Sequence, residues 1–209
     1  APGPGELDSV VSKLIGSKRP VIWSGGGVIR SDSSGHLTEL AELLGAGVIT
    51  SQAGRGSIPE NHPLCIGHFA TYPSVRELVE SADVLLSVGV RFRGNETSNW
   101  KMTTPADHIG IDVDAAATNR NFHQSESLTG DARLILPALV DAVRSRNPDP
   151  SRDYQLEVER VRNAVRQSLR STLGPWESVL DAIRETLPED AVVVRDITKP
   201  NTTWGNRLI

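Results

Sequence analysis

Residues 84–88, Val84-Leu85-Leu86-Ser87-Val88, decide the fold. A strand with one wet face alternates apolar and polar residues, and this run does not. It is the pattern of a strand buried on both faces, as in a parallel sheet flanked by helices. Immediately upstream, residues 73–82 read as a helix with Pro73 in its first turn, where the missing N–H costs nothing. Before that lie a strand at 48–50 and a helix at 36–44. Leu37, Leu40, Ala41, Leu43 and Leu44 make one face of this helix, and Gly45 is its expected stop. Further back, a strand at 20–23 runs into Gly25-Gly26-Gly27, and residues 6–15 carry Leu7, Val10, Val11, Leu14 and Ile15 at helical spacing. Downstream, residues 109–113 and the pair Leu128-Thr129 read as strands, and Gly130-Asp131 opens a helix over 132–143. Strands alternating with helices at these distances predict an α/β fold, a three-layer doubly wound parallel sheet.

The pattern changes at residues 146–152, RNPDPSR, a polar linker. The helix expected over 154–173 has few apolar residues and is read as lying along a surface or bridging domains. A helix at 176–187 ends before Pro188, and AVVVR at 191–195 reads as a buried strand with Asp196-Ile197-Thr198 turning off its end. A strand needs sheet neighbours, and no second strand follows this one. The expected division is therefore a domain at 1–145, a linker and connecting helix at 146–174, and a truncated second α/β unit at 175–209. The chain reads as a piece of a larger protein.

The 209 residues carry a net charge of −4 from interspersed charges of both signs, with no basic tract for nucleic acid or an anionic membrane. The longest apolar run, around residues 84–90, is too short to cross a bilayer. The first residues, APGPGELDSVV, lack the basic and apolar regions of a signal peptide. One cysteine rules out an internal disulfide and fits a reducing compartment. The expectation is a soluble, cytoplasmic protein.

Several residues are candidates for binding. Gly25, Gly26 and Gly27 stand between a strand and a helix, where backbone N–H groups can hold a phosphate. The same glycines also serve as a tight turn that lets helix pack on strand. Position 30 is Arg, so the full G-x-G-x-x-G is not present, and no acidic residue follows about twenty positions later. Asp112 and Asp114 end the strand IGIDVD, where carboxylates can accept from ribose hydroxyls, with helix capping as the competing use for Asp114. Arg91 and Arg93 follow residues 84–90 at the same sheet edge, placed to pair with a pyrophosphate or to be solvated. His62, Cys65 and His68 have the spacing H-x-x-C-x-x-H, but a zinc site needs a fourth ligand, and Cys65 between Leu64 and Ile66 reads as a small buried hydrophobe. No metal site is expected. Asp83 and Asp107 read as turn residues preceding strands.

Taken in order, PVIWSGGGVIRS, LAELLGAGVITSQAGRGSIPENHPLCIG, SADVLLSVGVRF, IGIDVD and LTGDARLIL resemble the central domain of thiamine diphosphate-dependent enzymes. Acetolactate synthase and benzoylformate decarboxylase are the kinds most similar. The resemblance covers roughly residues 6 to 144, and the G-x-G-x-x-P-x-x-H-P segment from Gly54 to Pro63 is its most specific motif. It implies a Rossmann-like, DHS-like NAD/FAD-binding fold. Residues 176–209 resemble the opening of the family's diphosphate-binding domain.

The resemblance further implies a parent that uses thiamine diphosphate and Mg to make or break a carbon–carbon bond of a 2-oxo acid, as a carboligase or a decarboxylase. Such chains form homodimers or homotetramers. The activating glutamate and the Mg-binding motif of the family find no counterpart in these residues, so the chain is expected to be inactive by itself and to carry no catalytic residue. Acetolactate synthases bind FAD in the central domain, oxalyl-CoA decarboxylases bind ADP, and many decarboxylases bind nothing there. By resemblance, Gly25, Gly26, Gly27, Arg91 and Asp112 would touch such a nucleotide, and Thr198 and Asn201 would approach the diphosphate end of thiamine diphosphate. Two segments depart from the synthases: Gly67-His68-Phe69-Ala70 replaces a G-M-H-G-like turn, and Arg91-Phe92-Arg93-Gly94-Asn95 replaces R-F-D-D-R. The alternative expectation is a stand-alone module binding FAD, ADP or NAD without thiamine chemistry.

Overall fold

The run at 84–88 lies in the middle of a six-stranded sheet, with all five residues buried. The computed structural model describes residues 3–188 and 191. Its strands are Pro20–Ser24 (β1), Gly47–Thr50 (β2), Cys65–Gly67 (β3), Val84–Val88 (β4), Asp107–Asp112 (β5) and Glu126–Thr129 (β6). They pair in the order β3-β2-β1-β4-β5-β6, every pair parallel. The helices are Pro4–Gly16 (α1), Gly26–Arg30 (α2), Ser34–Leu44 (α3), Pro73–Glu80 (α4), Ala132–Ser145 (α5), Arg152–Ser171 (α6) and Glu177–Thr186 (α7). Helices α1, α3 and α5 pack together on one face. The chain steps to the other side of β1 through α4, which the right-handed crossover rule puts on the opposite face. The fold is the doubly wound α/β sheet that the sequence predicts.

Each boundary has a local cause. Gly45 ends α3 in the left-handed region at φ 61°, and Asp131 opens α5 by accepting from the Arg133 N–H at 2.9 Å. Pro137 lies inside α5 and cannot donate to the carbonyl one turn back, yet the helix continues through an apolar face of Ile135, Leu136, Leu139, Val140 and Val143.

Three expectations need correction. The edge strand β3 is not among the predicted strands. Val113 lies outside β5 and is 71% exposed, while Asp107 is the first residue of that strand, with an oxygen 2.5 Å from Lys13 Nζ. Asp83 is more than a turn residue, because its carboxylate accepts from the Ser17 hydroxyl and from the N–H groups of Lys18 and Arg19, at 2.7 and 3.1 Å for the two amides.

The crossover from β5 to β6 has no α-helix. Residues 113–125 contain only a 3-10 turn at Ala115–Ala117, and they lay Phe122 edge-on against Phe92 with centroids 5.2 Å apart. The loop from β4 to β5 carries three consecutive left-handed residues, Ser98, Asn99 and Trp100, at φ 52°, 55° and 59°. Conformations of this kind are strained for non-glycine residues and persist only when their surroundings hold them. Here the Thr97 hydroxyl accepts from the Trp100 amide at 3.1 Å, and the Trp100 indole donates to the Phe92 carbonyl at 2.7 Å.

The chain divides into two compact units, residues 1–162 and 163–209. In the first, the opening turns of α6 bury part of their surface. Tyr154 and Val158 are buried, the Tyr154 hydroxyl donates to the Pro20 carbonyl at 3.0 Å, and Val158 packs on Gly47. In the second, Arg170 holds α7 through Glu177 at 2.8 Å and a two-pronged contact with Asp181 at 2.9 and 2.8 Å. The expected terminal strand, Thr198 and Asn201 lie outside the described residues. No described helix is long and apolar enough to cross a membrane.

Candidate functional site

Ligands of open parallel sheets sit beyond the carboxyl ends of the strands. A cavity of about 160 Å³ lies there, at the ends of β1, β4, β5 and β6. Gly27 and Arg30 of α2 form one wall, Gly89 and Arg91 after β4 a second, Asp112 and Val113 a third, and Gly130 and Asp131 the fourth. Of the residues the sequence singled out, Gly27, Arg91 and Asp112 meet in this cavity. Gly25 and Gly26 are not among its walls.

The glycines are explained by close approach. A Cβ on Gly25 would lie 1.9 Å from the Gly89 carbonyl oxygen, and one on Gly27 would lie 2.7 Å from the Gly89 Cα. The Gly25 N–H donates to Val88 O at 2.8 Å and the Gly27 N–H to Gly89 O at 3.3 Å. Two of the three amide groups of Gly25-Gly26-Gly27 are therefore engaged by the neighbouring strand end.

The charges around the cavity are mixed. Asp112 accepts from the Asp114 N–H at 2.9 Å. Asp114 caps the 3-10 turn by accepting from Ala116 N–H at 3.0 Å, and it meets Arg120 at 3.3 Å and Arg91 at 3.5 Å. The Ala116 N–H, and then the two guanidinium groups, hold its carboxyl below the usual range. Arg91 remains half exposed and Arg93 is exposed. Arg133 fastens the far rim, donating to the Ser31 carbonyl at 3.1 Å. The lining carries two guanidinium groups, Arg30 and Arg91, and two carboxylates, Asp112 and Asp131, the donor and acceptor types that a ribose phosphate can use.

Sequence reasoning missed Arg30, Gly89 and Gly130 as cavity residues. Arg30 is the residue that breaks the G-x-G-x-x-G pattern, and Gly89 directly follows the strand that decides the fold. Their positions at strand ends were the available signal.

A second polar group is sealed inside the sheet. His108 is fully buried, with Nε2 2.9 Å from the Ser87 hydroxyl and Nδ1 3.1 Å from the His123 carbonyl. A carbonyl only accepts, so Nδ1 carries the proton and Nε2 accepts from Ser87. Burial drives the imidazole pKa down to about 4. His62 is elsewhere, accepting from Leu64 N–H at 3.2 Å and facing Glu42 at 3.2 Å, and Cys65 is buried in β3. Among the described residues, no group of three His, Cys, Asp or Glu side chains is arranged to hold a metal ion.

Comparison with known proteins gives a consistent picture. The family model for the thiamine pyrophosphate enzyme central domain matches residues 7–139. A probable acetolactate synthase large subunit of Methanococcus aeolicus is 38% identical over 141 residues, 66% of this chain and 23% of the relative. A probable 2-ketoarginine decarboxylase of Pseudomonas aeruginosa is 31% identical over 199 residues, 92% of this chain and 34% of the relative. A solved structure described as a thiamin diphosphate-dependent enzyme of Mycobacterium smegmatis superimposes with a TM-score of 0.57 at 26% identity, covering 71% of this chain and 29% of that one. The chain thus spans about a third or less of the length of the proteins it matches.

Proposed function

Since the chain belongs to the thiamine pyrophosphate enzyme family, whose central domain it contains, we propose that its parent makes or breaks a carbon–carbon bond beside the carbonyl of a 2-oxo acid. The observation that carries this reading is the match of the central-domain model across residues 7–139, on a sheet of the same architecture as a thiamin diphosphate-dependent enzyme. Thiamine diphosphate, held with Mg, supplies the carbanion-stabilising electron sink for such chemistry. The described residues of this chain do not fit that group, since they offer no cluster of donors for its metal. No catalytic step is therefore assigned to them.

The chain's own part is structural and ligand-binding. The cavity at the carboxyl edge is read as a nucleotide site, with Arg30 and Arg91 toward phosphate oxygens and Asp112 toward ribose hydroxyls. Residues 175–209 are read as the start of the diphosphate-binding domain, with Thr198 and Asn201 near the cofactor's diphosphate. The parent is read as a cytoplasmic homodimer or homotetramer.

The test is activity of the longer parent with a panel of 2-oxo acids, Mg and thiamine diphosphate. Release of carbon dioxide or formation of a 2-hydroxyketone product that requires the cofactor is expected, and the 209-residue chain alone should show neither. A full-length protein that binds thiamine diphosphate yet turns over no 2-oxo acid would remove the reading.

A further inference from the structure

Arg91 is a wall of the carboxyl-edge cavity, yet its Nη1 lies 3.5 Å from Oδ2 of Asp114, which is not one of the walls. We infer that Asp114 is an internal competitor for the cavity's ligand. Its carboxylate and the anionic group of a ligand contend for the same Arg91 guanidinium, so Asp114 lowers the affinity of the site. This rests on reading the cavity as a site for a ligand with anionic oxygens.

Three contacts fix Asp114 in place. Its Oδ1 accepts from the Ala116 N–H at 3.0 Å, its own N–H donates to Asp112 Oδ1 at 2.9 Å, and its carbonyl accepts from the Ala117 N–H at 2.8 Å. The backbone of Arg91 is fixed as well. Asn121 donates through Nδ2 to the Arg91 carbonyl at 3.1 Å, and the neighbouring Phe92 is buried edge-on against Phe122. What can turn between two partners is the Arg91 side chain, which is long, rotatable and 49% exposed.

Oδ2 of Asp114 also meets Arg120 Nη2 at 3.3 Å. It therefore lies between two guanidinium groups, the surroundings that a phosphate oxygen takes. Arg120 is not a wall of the cavity, so Arg91 is the group over which Asp114 and a ligand compete. Exposed ion pairs of this kind are weak, so the competition lowers affinity without abolishing it. Asp114→Asn separates the two roles of the side chain. The amide oxygen still accepts from Ala116, whereas the uncharged amide nitrogen is a donor and cannot pair with a guanidinium.

The test is calorimetric titration of the full 209-residue chain with inorganic pyrophosphate at low ionic strength, where screening is weakest. The native chain is compared with Asp114→Asn, Arg91→Ala and the double variant, and circular-dichroism melts confirm that each is folded. Asp114→Asn is expected to bind about two- to five-fold more tightly than the native chain. The Arg91→Ala chain and the double variant should be indistinguishable, because the gain acts through Arg91. Unchanged affinity in Asp114→Asn would overturn the inference, and weakened affinity would do so by showing that Asp114 aims Arg91 at the ligand. A gain that persists in the double variant would be a general effect of charge and would also overturn it. Binding by none of these proteins would remove the anion-site reading itself, and the inference with it.

Discussion

The imidazole of His108 on β5 and the hydroxyl of Ser87 on β4 meet at 2.9 Å in the interior of the sheet, with the ring also edge-on to Phe92. The neutral imidazole is fully satisfied there, and the charged form is penalised by desolvation. The unfolded chain takes up a proton near pH 6.5, whereas the folded chain does so near pH 4. Protons therefore favour the unfolded state between these values. Stability is fully present above about pH 6.5 and is lost as pH falls through 4, by roughly 3 kcal/mol in all. Urea melts at pH 7 and pH 5 should differ by about 2 kcal/mol from this group, and His108→Phe should remove most of that difference. An unchanged pH dependence in the variant would show that another group governs it.

Glycine substitutions should sort by what a Cβ would meet. Gly25→Ala places a methyl 1.9 Å from a backbone oxygen that cannot swing away, so a loss of at least about 3 kcal/mol or failure to fold is expected. Gly16→Ala, at the end of α1 with nothing within 4 Å, should stabilise by about 0.5–1 kcal/mol. Thermal melts of both variants compare them directly, and a neutral Gly25→Ala would disprove the close contact.

Tyr154 fastens the start of α6 to the beginning of β1. Tyr154→Phe keeps the packing but leaves the Pro20 carbonyl without its buried donor, at a cost of about 1–3 kcal/mol. Chemical denaturation should show a lower midpoint with an unchanged slope, whereas a change below 0.3 kcal/mol would mean that water replaces the hydroxyl.

Asp83 collects the end of the α1–β1 turn. Burial pushes its carboxyl up, but the Ser17 hydroxyl and the Lys18 and Arg19 amides outweigh it and bring it below the ordinary 3.8. The stability it contributes is present above that value and disappears as pH falls through its folded value. Asp83→Ala should cost about 1–3 kcal/mol at pH 7, and much less in strong acid. Equal losses at pH 7 and pH 2.5 would contradict the assignment.

Much of this molecule is written in local patterns. The apolar run at 84–88, the left-handed stop at Gly45 and the capping role of Asp131 each follow from a handful of neighbouring residues. The edge strand β3 was missed because three residues, Cys65-Ile66-Gly67, are too few to establish a period. The burial of Tyr154 and Val158 in the first turns of α6 was not legible, because it depends on β1 and on Gly47, far away in sequence. The candidate site divides the same way. Gly27, Arg91 and Asp112 stood out as strand-end residues, whereas Arg30 was visible only as a break in a glycine pattern. His108 gave no signal, because its partners Ser87 and His123 are joined to it by the pairing of β4 with β5 and by the loop that replaces a crossover helix.

The strand order has a consequence for how the protein is made. β1 lies between β2 and β4, yet β4 begins at Val84, sixty residues after β1 ends at Ser24. At roughly 5–20 residues per second, a ribosome needs about 3–12 s to deliver that partner. During that interval the nascent chain can assemble β1, β2 and β3 with one side of Val21, Ile22 and Trp23 unpaired. Until its second half emerges, the growing sheet presents at β1 an open edge of the kind that pairs with other chains.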